Sequence, residues 1–329
     1  MNSIDPLAVS TTLAHTYRRY LGSLITPSNL GLARSLDTAI SAAAHDGLTR
    51  GPYLQVQPPY KKGASPLDLI NDGVLGSRFE RLGRPEGADH GLPLNRALYS
   101  HQEQSIRKVA AGRNVVVATG TGSGKTESFL LPILDAIQRE AQDGHVSPGV
   151  RALLLYPMNA LANDQLKRLR TLLAATPEIT FGRYTGETRE SPQDANDSFA
   201  QQHKGEQRLP NEVLSRQEMR ATPPHLLLTN YAMLEYLLLR PADVDLFQSG
   251  DHSTWRFIVV DEAHVYDGAT GAEVGFLLRR LRERVAGDRQ IQCIATSATV
   301  GADNSEPPPS RATCSASLSN TQATPVART

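Results

Sequence analysis

The chain has 329 residues, of which 40% are hydrophobic, and this is enough apolar material for a folded core to exclude a wholly disordered protein. Its 34 Lys and Arg residues balance 34 Asp and Glu residues, so the net charge of zero excludes capture of nucleic acid by bulk charge. The two cysteines, Cys293 and Cys314, exclude a disulfide framework and a four-thiolate zinc site, which suits a reducing cytosol.

No segment of the sequence predicts secretion or membrane insertion. The start of the chain carries Asp5, Arg18 and Arg19 and lacks the unbroken apolar stretch of a signal peptide. The longest apolar runs, such as Phe129–Leu134, fall far short of the roughly 18 residues that cross a bilayer. We therefore expect a soluble, cytoplasmic protein with no membrane partner.

The sequence divides into three regions. Residues 1–95 mix short helical patterns with turn-rich stretches and predict an N-terminal accessory region. Residues 96–300 alternate short apolar runs with helical patterns, which is typical of βαβ units in an α/β domain with a mostly parallel sheet. Residues 301–329 are rich in Ser, Thr, Ala and Pro and predict a disordered tail, because they offer too little apolar surface to offset the entropy of ordering.

The middle region contains six predicted strands, most of them without polar alternation, as strands covered on both faces should be. The predicted strands are 114–118, 151–156, 179–184, 225–229, 256–260 and 290–296, and the predicted helices are 125–140, 159–174 and 271–285. Pro132 predicts a kink in the first helix. Residues 187–224 are polar and poor in periodicity, so we predict a surface excursion with one short helix near 212–219.

A glycine-rich turn follows the first predicted strand and precedes a helix that opens with Lys125 and Thr126. Such a turn directs backbone N–H groups at phosphate oxygens, and the helix N-terminus adds the positive end of its dipole. Lys125 is expected to reach the β and γ phosphates, and the Thr126 hydroxyl to bind Mg²⁺. The predicted nucleotide-binding loop comprises Thr119, Gly120, Thr121, Gly122, Ser123, Gly124, Lys125 and Thr126. The strict P-loop pattern has glycine where this chain has Thr119, and the alternative is a glycine-rich turn with a solvated lysine.

A second apolar strand ends in Asp261, Glu262, Ala263 and His264. Because parallel sheets bind ligands at the carboxyl ends of strands, Asp261 is expected to hold Mg²⁺ and Glu262 to polarise the attacking water. His264 is expected to link the γ phosphate to a neighbouring domain. The alternative is a helix N-terminus with two acids favoured by its dipole. The predicted catalytic set is Lys125, Asp261, Glu262 and His264.

With these two motifs, the chain resembles superfamily 2 helicases of the Asp-Glu-Ala-His type. Residues 98–102 resemble the family's Q motif, which implies that the ring of Tyr99 stacks on adenine, that Gln102 pairs with the base, and that the nucleotide is ATP. The resemblance implies a P-loop RecA-like domain. It also implies nucleic-acid contacts by Pro157, Asn159, Thr185, Gly186, Thr229 and Asn230, and a coupling role for Ser297, Ala298 and Thr299. The pattern around Asn159 predicts a helix N-cap able to hold a phosphate.

Within the superfamily, residues 119–129 and 231–236 resemble the bacterial YprA-like (MrfA-like) branch. Relatives of that branch act as 3′-to-5′ DNA helicases or translocases in repair, and similar helicases occur in phage-defence islands, so DNA is the favoured partner. RNA stays open, because backbone contacts discriminate poorly between the two polymers.

The family also uses a second RecA-like domain, which supplies an arginine finger. The sequence after Thr299 resumes no βα pattern, so we expect a truncation or frameshift product, or a separate chain that supplies the other half. The isolated chain is then expected to unwind little. Two alternatives are a nucleotide-dependent binding or regulatory module without useful catalysis, and a P-loop ATPase that does not touch nucleic acid.

Overall fold

The computed structural model describes residues 5–25, 27–46, 59–84, 88–141, 146–248, 254–285 and 290–298. The chain divides into two compact units, Met1–Pro59 and Tyr60–Thr329. None of the helices in the described ranges combines the length and the hydropathy that a bilayer crossing requires.

The first unit contains two helices, α1 (Pro6–Leu24) and α2 (Leu30–Asp46). Helix α1 begins where the Asp5 carboxylate accepts the N–H of Leu7 at 2.9 Å, so the side chain caps a backbone donor that the helix leaves unpaired. Pro6 occupies the first turn, where its missing N–H costs nothing.

The second unit is a parallel sheet flanked by helices. Its helices are α3 (Pro66–Asn71), α4 (Ser100–Ala110), α5 (Lys125–Glu140), α6 (Asn159–Leu173), α7 (Pro192–Gln202), α8 (Arg216–Ala221), α9 (Tyr231–Leu239), α10 (Asp245–Gln248) and α11 (Gly268–Val285). Its strands are β1 (Val115–Ala118), β2 (Ala152–Tyr156), β3 (Phe181–Arg183), β4 (Glu212–Val213), β5 (Leu226–Asn230), β6 (Phe257–Val260) and β7 (Gln292–Ser297).

The strands form one sheet in the order β1-β7-β6-β2-β5-β3-β4, and every neighbouring pair is parallel. Strand β2 shows how both faces are covered. Leu153 and Leu155 lie in the core cluster that contains α9 and α11 residues, and Leu154 and Tyr156 lie in the cluster that contains α5 and α6 residues. Because side chains alternate along a strand, one continuous apolar run serves both cores. The predicted α/β fold with a mostly parallel sheet is confirmed.

The six predicted strands are all present, with ends that move by one or two residues. Helix α5 matches its predicted bounds and runs past Pro132 without a break. The prediction for residues 187–224 was incomplete, because this excursion contains α7, strand β4 and α8. The predicted helix at 212–219 was wrong at its start, since Glu212–Val213 pairs with β3 and the helix begins only at Arg216.

Local capping explains why α7 forms in a polar segment. Ser191 accepts the N–H of Asp194 at 3.1 Å, and Pro192 stands in the first turn. Ala195 and Phe199, one turn apart, are buried, so a narrow apolar stripe is enough to dock this helix.

The second unit begins earlier than the sequence predicted. Leu69, Leu75, Phe79 and Leu82 lie in the 1–95 accessory region of the prediction, yet each is at most 1% exposed and belongs to the core cluster that contains the α5 residues. The compact unit therefore starts at Tyr60 rather than at residue 96. These short elements pack against residues that are far away along the chain, and local periodicity does not reveal such packing. The predicted disordered tail, 301–329, lies outside the described residues.

Candidate nucleotide site and nucleic-acid edge

The loop between β1 and α5 has the backbone geometry that its glycines predict. Gly122 and Gly124 adopt φ values of 75° and 70°, in the left-handed region that residues with a Cβ rarely enter. A Cβ on Gly124 would also lie 2.5 Å from Nε2 of Gln102. The Thr119 and Ser123 hydroxyls share a hydrogen bond of 2.6 Å across the loop. Thr119, the departure from the strict motif, therefore closes the loop with its side chain.

Lys125, the first residue of α5, lies at the centre of the site and is 8% exposed. Its ammonium donates to the carbonyl oxygens of Thr119 and Gly120, each at 3.2 Å. Nζ lies 4.0 Å from Oε1 of Glu262. The structure thus brings the loop and the acids at the end of β6 into one crevice, as the sequence predicted.

Asp261 follows β6 and is held by its neighbours. One carboxylate oxygen, Oδ1, accepts the Thr296 hydroxyl and, at 3.1 Å, the N–H of Glu262. Burial raises the pKa of Asp261 above its usual 3.8, and the hydrogen bond from Thr296 opposes that rise. Thr296 was not among the predicted site residues. The parallel register, which sets Val260 opposite Ala295, brings it beside Asp261.

Glu262 has a left-handed backbone conformation, with φ of 50°. A glutamate rarely adopts this conformation, and such strain concentrates at functional sites. Its N–H is fixed by Asp261 and by the Thr296 hydroxyl at 3.1 Å. Nδ1 of His264 lies 3.2 Å from Oε2 of Glu262 and 3.3 Å from the Ala298 nitrogen. His264 therefore bridges the acids and the segment after β7.

The segment after β7 lies between the two motifs because β7 pairs with both β1 and β6. Ser297 pairs with Ala118, and its carbonyl accepts the N–H of Thr119 at 3.2 Å. The predicted coupling residues Ser297 and Ala298 thus contact the loop and His264 respectively, while Thr299 lies outside the described residues.

Tyr99 and Gln102 lie at the start of α4, next to the loop. Gln102 is 3% exposed, and its amide accepts the N–H of Tyr99 at 2.7 Å and donates to the Gly124 carbonyl at 2.8 Å. Both ends of this amide are therefore committed to the protein. His101, which was not predicted, also braces the loop, with Nε2 2.9 Å from the Ser123 carbonyl.

Two oxygen groups, the Thr126 hydroxyl and the Asp261 carboxylate, are the predicted Mg²⁺ ligands. Among the described residues, no group of three or more His, Cys, Asp or Glu side chains could hold a metal ion by itself. This sparse donor set fits Mg²⁺, which keeps several waters and binds through one or two protein oxygens plus substrate phosphates. The Thr126 hydroxyl accepts from Nε2 of Gln165 at 3.4 Å.

The six predicted nucleic-acid residues lie at or just after the carboxyl ends of β2, β3 and β5, along the other half of the same sheet edge. The Asn230 amide donates to Oδ1 of Asn159 at 2.8 Å, which joins the ends of β5 and β2. Pro157 and Asn159 are half-buried and Gly186 is exposed, so these can meet a ligand at the surface. Thr185 and Thr229 are 0% exposed, so their side chains pack beneath the surface of this edge and do not face a ligand.

The predicted N-cap at Asn159 was wrong. Met158 has the extended backbone of the cap position, with φ of −138°, and Asn159 is the first residue of α6. The Asn159 amide instead donates to Oε1 of Glu187 at 3.3 Å. Asn230 is a true N-cap, because its Oδ1 accepts the N–H of Met233 at 2.7 Å. Glu187 was not predicted, since a lone acid in a polar loop gives no local signal.

Residues 99–306 match the sequence profile of the DEAD/DEAH box helicase family. The Druantia protein DruE of Escherichia coli (strain UMEA 4076-1) is 33% identical over 344 residues, covering 78% of this chain and 18% of DruE. The uncharacterized ATP-dependent helicase YprA of Bacillus subtilis (strain 168) is 31% identical over 208 residues, covering 62% of this chain and 23% of YprA. The chain thus spans about a fifth of the length of these curated relatives.

The crystal structure of the DUF1998 helicase MrfA bound to DNA superimposes with a TM-score of 0.56 and 26% sequence identity. The match covers 82% of this chain and 31% of MrfA.

Proposed function

Because the chain belongs to the DEAD/DEAH box helicase family and covers its first RecA-like domain, we propose that it is the ATP-binding motor half of a DNA helicase or translocase. The observation that carries this proposal is the crevice in which Lys125 Nζ lies 4.0 Å from Glu262 Oε1, between a glycine-rich loop and a strand that ends in acids. The Asp-Glu-Ala-His sequence at 261–264 supports the further proposal that it is of the DEAH type.

ATP is proposed to enter with its phosphates on the N-terminus of α5. Lys125 then exchanges the carbonyls of Thr119 and Gly120 for phosphate oxygens, because a charged ligand binds an ammonium more strongly than a neutral carbonyl does. Thr126 and Asp261 are the residues that would hold Mg²⁺, which supplies neutralisation of developing charge on the phosphates. Glu262, held at a fixed backbone angle, orients the attacking water.

Nucleic acid is proposed to lie along the ends of β2, β3 and β5. Exposed backbone at Gly186 and the amides of Asn159 and Asn230 contact phosphates without reading sequence. DNA is the favoured polymer because the MrfA structure that matches this fold was solved with DNA. A cytoplasmic location is proposed as well, and the low cysteine content, which suits a reducing compartment, supports it.

Turnover is proposed to need a second RecA-like domain, in the same polypeptide or in another chain. An arginine supplied from such a domain increases turnover by roughly 10³- to 10⁵-fold where it has been measured. ATP binding alone requires only the crevice described above, so the two steps separate experimentally.

The test compares Lys125→Ala and Glu262→Gln with a control variant, Arg113→Ala. Arg113 is exposed and precedes the amino end of β1, whereas the site lies at the carboxyl ends of the strands. Lys125→Ala is expected to weaken ATP about 10- to 100-fold, because a hydrogen bond to a charged group contributes about 1.5–3 kcal/mol. Glu262→Gln is expected to keep ATP affinity and lose turnover. Titration calorimetry and phosphate release measure the two effects.

An unchanged ATP affinity in Lys125→Ala would remove the basis of the proposal. Stoichiometric ATP binding with negligible hydrolysis, unaltered by single-stranded DNA even after a second motor domain is added, would instead favour a nucleotide-dependent binding module.

A further inference from the structure

A cavity of about 680 Å³ lies between α6, the loop after β3 and α7. Part of its wall comes from the excursion at 187–224, for which the sequence predicted no function, and Gly186, an exposed residue of the nucleic-acid edge, forms another part. The cavity is therefore continuous with the proposed path of the strand.

The cavity is lined by more cationic than anionic side chains. The cations are Lys167, Arg170, Arg183, Arg189 and Arg216, and the carboxylates are Glu187, Glu190 and Glu212. In a chain with a net charge of zero, this excess is local. Lys167 and Arg189 are exposed, and no side-chain partner of either is found among the described residues.

Two of the other cations, Arg170 and Arg216, are held in the cavity wall by hydrogen bonds within the protein. Arg170 makes a two-pronged pair with Glu212, with Nε–Oε2 of 2.9 Å and Nη2–Oε1 of 2.8 Å, and the Glu212 side chain is 0% exposed. Arg216 donates to the carbonyls of Thr185 and Gly186 at 3.2 and 3.4 Å. These arginines are committed to shaping the cavity, which leaves Lys167 and Arg189 to meet a ligand.

We propose that this cavity is a second phosphate site for the nucleic-acid strand, in which Lys167 and Arg189 bind the backbone phosphates next beyond Gly186. The proposal rests on the proposed function and extends it to residues outside the sheet edge. A phosphodiester fits because the two available groups are cations that line a polar cavity, and the phosphates are the groups of a nucleic-acid strand that carry charge.

Glu187 is proposed to oppose this binding. Its carboxylate accepts from Nη1 of Arg183 at 2.9 Å and from the Asn159 amide at 3.3 Å, so it occupies the donors that face the strand. An anion in this position repels a phosphate, and strand binding must displace it. Glu187 thereby limits the affinity of the edge and favours release of the strand between steps.

The experiment measures binding of a fluorescent single-stranded oligonucleotide by the full 329-residue chain over a range of salt concentrations. Each phosphate contact to a single strand contributes about 0.7 to the slope of log K against log salt. Lys167→Gln and Arg189→Gln are each expected to lower that slope by about 0.7. Arg113→Gln, an exposed cation at the opposite edge of the sheet, is expected to leave it unchanged. Glu187→Gln is expected to tighten binding about fivefold, as the loss of a repulsion near 1 kcal/mol predicts.

The results distinguish failure of the cavity assignment from failure of the proposed function. Slopes that stay at the wild-type value in both cation variants, with binding intact, would overturn the cavity assignment and leave the proposed function standing. A wild-type chain that binds no oligonucleotide in any nucleotide state would overturn both. Inorganic phosphate that competes as well as an oligonucleotide of equal phosphate concentration would show a site for free anions rather than for a strand. Circular dichroism of each variant checks that the fold is retained.

Discussion

Protonation of His225 is predicted to destabilise the fold at mildly acidic pH. This residue precedes β5, is 3% exposed, and accepts the N–H of Thr180 on Nδ1 at 3.0 Å. Its Nε2 lies 3.3 Å from the Ser147 carbonyl, so the proton of the neutral ring belongs on Nε2. A second proton on Nδ1 would break the bond to Thr180. Burial, with a further contribution from the Arg151 charge, lowers the pKa of His225 from 6.5 to about 4.

The direction of the pH effect follows from proton binding in the two states. The unfolded chain takes up a proton as the pH falls through 6.5, whereas the folded chain does so only near 4. Stability from the neutral ring is therefore complete above pH 6.5 and is lost as the pH falls toward 4. The full loss is about 3 kcal/mol at about 1.4 kcal/mol per pH unit, and about 2 kcal/mol of it is gone by pH 5.

The matched variant is His225→Asn, which cannot titrate and keeps an acceptor near the position of Nδ1. Urea unfolding of both proteins between pH 7.5 and 5 gives the free energy of unfolding at each pH. The wild type is expected to lose about 2 kcal/mol more than the variant over this range. Taking the difference between the two proteins cancels the titration of all other groups. Free energies that fall in parallel would refute the reasoning.

Two further perturbations test the buried charge and the extent of the core by urea unfolding. Glu140→Gln is expected to cost about 3 kcal/mol, because it leaves the charge of the 0% exposed Arg151 without its carboxylate partner. Glu283→Gln, in an exposed pair, should cost less than about 0.5 kcal/mol. A loss below about 1 kcal/mol for Glu140→Gln would contradict this. Leu69→Ala is expected to cost about 3 kcal/mol and the control Leu13→Ala, 64% exposed, almost nothing. Equal effects would show that the segment after Tyr60 is not part of the core.

Strands β2 and β6 illustrate what local sequence can predict. Both are buried along their whole length, so their apolar runs stand out from the polar residues that flank them, and their predicted ends were off by one residue. Strand β4 shows the opposite case. It has two residues, and it is a strand only because it pairs with β3, which no periodicity in Glu212–Val213 reveals.

The cavity beside α7 could not be predicted from the sequence, because it too depends on contacts between distant residues. Its walls come from α6, the loop after β3, α7 and the β4 region, which are separated along the chain. Glu212 lies in the segment predicted as a surface excursion, yet it is 1% exposed and its carboxylate pairs with Arg170. Burial of a charge depends on its partner, and a partner 42 residues away leaves no local trace.

The chemical groups of the candidate site could be predicted from local sequence: a glycine-rich loop before a helix that opens with Lys125, and a buried strand that ends in Asp261 and Glu262. These are local patterns, since turn geometry and strand burial depend on adjacent residues. The position of β7 between β1 and β6 could be known only from the three-dimensional fold, and it places Thr296 against Asp261 and His264 near Ala298. Parallel strands are joined by long crossovers, so their order and register are set by contacts between distant residues.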